Sequence, residues 1–193
     1  MKPRRILALL LGAVLLLAGC TTGSDAVSRG SSFTFVSPGG QTDIFYEGAD
    51  RQPMPELSGE DLFDETKQIS VADYRGKVVV INIWGQWCGP CRAEAPEMQQ
   101  VYDQLKDQGV QVLGIDVRDL DRSAPQDFVR NRSLTYPSIY DPSGRSLLQL
   151  SGYPRNVVPS TIIVDKQQRV AAIFLRPLLA SDVTPVAQRL LQE

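Results

Sequence analysis

The stretch that decides the fold runs Lys77-Val78-Val79-Val80-Ile81-Asn82-Ile83-Trp84-Gly85-Gln86-Trp87-Cys88-Gly89-Pro90-Cys91. Lys77 to Trp84 is nearly unbroken apolar sequence, the signature of a central strand buried on both faces. Helical sequence follows from Pro90 to about Gln108, with Met98, Val101, Tyr102 and Leu105 at core-facing spacing and Gly109 as its stop. A Cys-x-x-Cys pair at a strand-to-helix junction puts a thiol on the first helical turn, where free backbone N–H groups and the helix dipole favour a thiolate. This is redox geometry. The same tetrad could form half of a zinc site, but a second pair of ligands would be needed, and the chain holds three cysteines and no histidine. Hydrolases built on a Cys-His or Ser-His pair are excluded for the same reason.

The third cysteine speaks to compartment. Lys2, Arg4 and Arg5 form a basic start, Ile6 to Ala18 is apolar apart from Gly12, and Leu17-Ala18-Gly19 precedes Cys20. This resembles a bacterial lipoprotein signal, cleaved before a cysteine whose sulfur carries the lipid. Residues 1–19 are thus expected to be a signal peptide, with Cys20 lipidated and the body outside the cytoplasm, at the outer face of a bacterial membrane. The apolar run is shorter than the roughly 20 residues of a spanning helix. Removing residues 1–19 takes away three positive charges and no negative ones, so the formal charge moves from -2 to -5. No basic face for nucleic acid is suggested. The remaining 174 residues suit one domain and a tether.

Thr21 to Ser32 is small and polar, a flexible tether that would span roughly 20 Å as a random coil. Phe33 to Val36 and Asp43 to Tyr46 are β-prone and suggest an N-terminal hairpin around Ser37-Pro38-Gly39-Gly40. Gln52 to Pro55 reads as an extended connector. Residues 20–55 therefore form anchor, tether and extension, and residues 56–193 the domain. Within it, Leu57 to Leu62 and Thr66 to Ser70 read as a hairpin, and Val110 to Val117 as a second buried strand. Ser123 to Arg130 reads as a helix capped by Ser123, and Tyr136 to Tyr140 and Ser143 to Leu150 as a short strand and helix. Thr161 to Val164 and Val170 to Leu175 read as a hairpin, and Ser181 to Leu191 as a terminal helix. The order implies an α/β fold, a mixed sheet with helices on both sides.

These residues resemble the thioredoxin superfamily, specifically the extracytoplasmic, membrane-anchored disulfide reductases of the TlpA and ResA kind that act in cytochrome c maturation. The resemblance covers roughly Leu57 to Gln192. It rests on Gly76-Lys77, on Asn82 through Cys91, on Arg92-Ala93-Glu94-Ala95-Pro96, and on Val158-Pro159-Ser160-Thr161. It implies a thioredoxin-like fold in which Cys88 is the exposed nucleophile and Cys91 the resolving thiol beneath it, the two forming the redox disulfide, with Gly89 and Pro90 between them. It implies that Pro159 is a cis-proline setting the backbone of Val158 against the nucleophile, where a substrate strand pairs; the plain alternative is a proline opening a hairpin strand. It implies that Glu94 is partly buried near the cysteines and tunes their proton affinity, against the alternative of a surface glutamate favoured by the helix dipole. Asn82 replaces the buried aspartate of cytoplasmic thioredoxins. Pro96 bends the helix. Trp84 and Trp87 pack around the motif, Trp87 offering a substrate surface, and Tyr153 and Arg155 are candidates for the same groove.

The expected chemistry is thiol-disulfide exchange with no metal or organic cofactor. The resemblance implies apocytochrome c as client and a membrane electron donor of the CcdA or DsbD kind. Gly89-Pro90 matches reducing members and lacks the histidine of strong oxidants. Two alternatives stay open: a general disulfide oxidant or isomerase, and a non-catalytic lipoprotein that binds Cu(I) or a partner through its dithiol.

Overall fold

The computed structural model describes residues 33–193, and eight strands of this region share one sheet. In chain order the elements are β1 (Asp43–Phe45), β2 (Ser58–Asp61), β3 (Gln68–Ser70), β4 (Val78–Trp84), α1 (Gly89–Leu105), β5 (Val110–Asp116), α2 (Ser123–Asn131), β6 (Ser138–Tyr140), β7 (Ser160–Val164), β8 (Val170–Phe174) and α3 (Ala180–Gln192). Across the sheet the strands run β1-β8-β7-β4-β5-β6-β2-β3. β4, β5 and β6 are parallel, joined through α1 and α2, whereas β7 meets β4 antiparallel. A sheet with both pairings is the mixed sheet expected, and every residue of β4 and β5 is buried, as their apolar runs require.

Side chains alternate across β4 and divide the core in two. Val78, Val80 and Trp84 join Cys88, Cys91, Met98, Val101, Phe128, Val183 and Leu190, so all three α-helices cover this face. Val79, Ile81 and Ile83 face Phe33, Ile44, Leu57, Ile69, Val71, Leu147 and Leu150 on the other side. Helices on both faces were expected. The second face is instead covered by strand ends, the N-terminal segment and two 3-10 turns, Val71–Tyr74 and Ser146–Gln149.

The N-terminal runs do not pair with each other as a hairpin. Asp43 to Phe45 adds to the sheet edge opposite Phe174 to Ala172, and Thr34 makes an isolated bridge to Ser151. The open edge of β8 takes up the backbone groups of Asp43 to Phe45, and a 3-10 turn at Pro38–Gly40 lies between the two runs. Phe33 and Ile44 are buried in the second core. The described residues ahead of position 56 are therefore part of the folded body, and the boundary expected there has no counterpart in the packing. Residues 1–32, with the expected signal, tether and Cys20, lie outside the described residues.

One local correction follows from capping chemistry. Ser123 is the first helical residue of α2 rather than its cap; the Asp121 carboxylate accepts from both its N–H and its hydroxyl, at 3.0 and 2.8 Å. Pro96 lies inside α1 and cannot donate to Arg92 O. Arg132 Nη1 reaches that carbonyl at 3.5 Å. Gly109 ends the helical segment with φ 100°, a conformation unfavourable for residues bearing a Cβ.

Arg51 joins the N-terminal segment to the rest. Its side chain is 2 % exposed and meets Asp165 at 3.4 Å, Glu47 at 3.3 Å and Glu193, while Nε donates to Tyr46 O at 2.9 Å. Removing it leaves the Asp165 carboxylate, 1 % exposed, with Arg169 as its remaining cation. We expect Arg51→Ala to cost about 2 to 3 kcal/mol of stability in chemical denaturation, with Arg51→Lys intermediate; a loss under about 0.5 kcal/mol would show the cluster to be neutral.

Candidate redox site

The end of β4 delivers the two cysteines to the first turn of α1. Cys88 is the N-cap residue, and its Sγ accepts from the Cys91 N–H at 3.2 Å, the role a serine oxygen usually takes. Cys88 and Cys91 are joined by a disulfide. Cys88 is 4 % exposed and Cys91 2 %. An exposed Cys88 was expected, and this is corrected: both sulfurs sit in the apolar cluster with Trp84, and the Val158 carbonyl oxygen lies 3.7 Å from Cys88 Sγ. The Val158–Pro159 peptide bond is cis.

The turn before Cys88 is tied to the end of β5. Trp87 Nε1 donates to Val117 O at 2.8 Å, and Gln86 N–H to Asp119 Oδ2 at 2.6 Å. The first bond requires glycine at position 85, where a Cβ would lie 2.3 Å from Trp87 Nε1 and 2.8 Å from Val117 O. Trp87 remains 41 % exposed beside Cys88, whereas Trp84 is buried against Phe128 with ring centroids 5.6 Å apart. Tyr153, a groove candidate, is buried and donates to Ser160 Oγ at 2.6 Å; Arg155 is exposed.

Glu94 lies one turn beyond Cys91 on the buried stripe of α1 and is 2 % exposed, so the surface alternative does not hold. Its Oε1 accepts from Leu178 N–H at 2.9 Å and its Oε2 from Asn82 Nδ2 at 3.2 Å. Asn82 also reaches Thr161 Oγ1 at 3.2 Å across the β4–β7 ladder. Burial pushes the Glu94 carboxyl up to about 7, against the opposing pull of the Leu178 and Asn82 bonds and of Arg176. Glu94 also lines a groove of about 560 Å³ with Pro90, Ala93, Arg176, Leu178 and Leu179. Arg176 is held at its rim by Asp43 of β1, at 2.7 Å, and by Asp182.

A second buried acid lies at the end of β5. Asp116 is 0 % exposed, and burial, then Asp119 and Asp141, push its carboxyl up to about 9. It is therefore neutral at pH 7, which makes tolerable a carboxyl whose oxygens have no hydrogen-bond donor among the described residues. Leu178, Asp119 and Arg118 were missed by the sequence reading, and Thr161 was named in it only as part of the Val158 to Thr161 stretch. The one signal available was the clustering of Asp116, Arg118 and Asp119 at the C-terminal end of a parallel strand, where α/β sheets place their sites.

A sequence profile of the AhpC/TSA family matches residues 51–173. The chain belongs to that family. Among curated relatives of this AhpC/TSA-family chain, the thiol-disulfide oxidoreductase ResA of Bacillus thuringiensis subsp. konkukian is 33 % identical over 106 residues, 55 % of this chain and 59 % of ResA. The match thus spans less than two thirds of that relative. A secreted thiol-disulfide isomerase of Corynebacterium glutamicum has a solved structure with TM-score 0.81 and 46 % identity, covering 83 % of this chain and 98 % of that one. A DsbF homologue of Corynebacterium diphtheriae superposes with TM-score 0.78 at 48 % identity over 82 % of this chain and 99 % of its own. The fold is thioredoxin-like, and the resemblance to ResA read from the motifs is present across the matched segment.

The raised carboxyl of Glu94 sets a pH dependence whose sign is fixed. A group bound more tightly to its proton when folded adds stability that is complete below its unfolded pKa near 4.5 and is lost as pH rises through about 7. Oxidised wild-type protein should lose on the order of 3 kcal/mol relative to Glu94→Gln between pH 4.5 and 7.5. Denaturation midpoints of the two proteins at several pH values check this; parallel curves would show that Glu94 does not titrate there.

Proposed function

We propose that this protein is an extracytoplasmic thiol-disulfide oxidoreductase that reduces disulfides of client proteins, apocytochrome c haem-attachment cysteines among them. The observation that carries the reading is a disulfide between Cys88 and Cys91 at the start of α1, one turn from a buried acid. In the reductive direction, Cys88 as thiolate attacks one sulfur of the client disulfide, forming a mixed disulfide and releasing the other client sulfur, which takes up a proton. Cys91 gives its proton to Glu94, or to water, and attacks Cys88 Sγ. The client's second sulfur leaves and is protonated, so two electrons and two protons have moved to the client as the enzyme disulfide closes. A carboxyl near pKa 7 can hold that proton and release it through the groove it lines. In this reading Asn82 orients Glu94, Trp87 and the Val158 backbone receive the client strand, Pro159 holds Val158 in place, and Gly89 and Pro90 shape the turn between the sulfurs.

Direction follows from how well the Cys88 thiolate is stabilised. The bonded donor at its sulfur is one backbone N–H, and the Val158 carbonyl oxygen presents negative charge to the same atom. Gly89-Pro90 adds no cation. A poorly stabilised thiolate makes the dithiol a better electron donor, which supports a reductant. We further propose that residues 1–19 are a signal peptide, that Cys20 is lipidated, that residues 20–32 tether the body to the membrane, and that a carrier of the CcdA or DsbD kind restores the dithiol.

A second reading, disulfide isomerase or oxidant, is favoured by the name of the Corynebacterium glutamicum relative, a secreted thiol-disulfide isomerase. The reduction potential separates the two: a value below about -200 mV against glutathione supports the reductant, and one above about -180 mV the oxidant or isomerase. The reduced protein should cleave the disulfides of insulin, and Cys88→Ser should abolish this; a dithiol that binds without turnover would leave insulin intact. Cells lacking the gene and any redundant reductase should lose covalent cytochrome c, and an unchanged level removes that client.

A further inference from the structure

A pocket of about 400 Å³ opens beyond the end of β5, walled by Val117 and Arg118, by Ser143 and Gly144, and by the segment from Tyr153 to Asn156. The Arg118 guanidinium lies over the Trp87 ring, 5.4 Å from its centroid, and its Nη2 donates to the Arg155 backbone carbonyl at 3.4 Å. One wall is thus held to the residue before the nucleophile. The other lies three residues ahead of Val158, whose carbonyl oxygen is 3.7 Å from Cys88 Sγ.

Charge at this mouth is positive. Arg118 and Arg155 are exposed, and among the described residues neither forms an ion pair, which is also true of Arg75, Arg92, Arg132 and Arg145; what sets these two apart is that both line one pocket. No carboxylate lines the pocket. The acids closest in sequence are committed elsewhere: Asp116 is buried and neutral, Asp119 accepts from Gln86 N–H, and Asp141 accepts from Arg145 N–H, Ser146 N–H and the Ser143 and Ser146 hydroxyls. Arg118 is also held at φ 63°, a left-handed backbone that disfavours a residue with a Cβ. A chain with formal charge -2 therefore presents two guanidinium groups without a carboxylate partner, each suited to a bidentate carboxylate, in a pocket whose Arg118 lies over Trp87, the residue before Cys88.

We propose that this pocket binds an acidic side chain flanking the client's disulfide, with Arg118 and Arg155 as its counter-charges, so that the enzyme selects clients by a carboxylate next to the cystine; this rests on the oxidoreductase reading above. The carboxylate of a small anionic disulfide has the same chemistry, so the test includes one. Reduced full-length protein is mixed with three disulfide peptides that differ only in Glu, Gln or Lys beside the cystine, and second-order rates are read at low and high salt. The Glu peptide reacts on the order of fivefold faster than the Lys peptide, and the advantage shrinks as salt rises.

The Glu-to-Lys ratio falls to about one in the double variant Arg118→Gln with Arg155→Gln, and inverts when both become Glu. Because the ratio is read within each protein, a general loss of rate from repacking does not affect it. Equal rates for the three peptides with the wild-type protein, or an unchanged ratio in the double variant, overturns the proposal. Arginine dependence seen with glutathione disulfide and not with the peptides overturns the assignment to a polypeptide. Wild-type protein that reduces none of the disulfides overturns the oxidoreductase reading itself, and is distinguishable from loss of selectivity.

Discussion

The site depends on one strand being bonded along both of its edges. β4 pairs with β5 from Val78 to Trp84 and with β7 from Val79 to Ile83. Side chains alternate between faces, so a slip of one residue would send Asn82 to the face away from α1 and break its bond to Glu94. The same slip would move Trp84 out from beneath the cysteines. A strand fixed on two sides leaves the turn at Gly85 to Trp87 a single starting point, and the bonds to Val117 and Asp119 use it. The position of Cys88 is therefore set by hydrogen bonds several residues away.

The electrostatics of Glu94 follow from what surrounds it. Its direct partners are an amide side chain and a backbone N–H, both neutral donors. They satisfy its oxygens without supplying a full positive charge, so desolvation dominates and the proton is held to near neutral pH. Arg176, the cation that acts on it, is itself engaged by Asp43 and Asp182, which weakens its pull. With a neutral Asn82 beside it, Glu94 is the buried acid among the described residues that line the groove.

Much of this was legible in the chain. The apolar runs of β4 and β5, the turn at Gly109 and the Cys-x-x-Cys at a helix start carry their structure in local pattern, because burial on two faces and backbone chemistry act over a few residues. The N-terminal strand was not legible in the same way. Asp43 to Phe45 has strand composition, but its partner is 130 residues away in β8, and nothing local tells an edge strand from a hairpin. Glu94 could be placed on a helix face from spacing, yet its burial depends on Leu178, brought in by the turn before α3. Arg118 had only its place at the end of β5 to mark it: its contacts are with Trp87 and Arg155, neither of which neighbours it in sequence. The exposure of Cys88 was misjudged because Val158, Trp84 and the core close around the sulfur from three separate segments.

The depth of the two sulfurs also acts as insulation. With Cys88 4 % exposed and Cys91 2 %, a small thiol arriving from solvent meets little of either residue, whereas Trp87 beside them is 41 % exposed. The disulfide is thus a recessed contact, with the tryptophan and the Val158 carbonyl at its rim, rather than one met on an open surface.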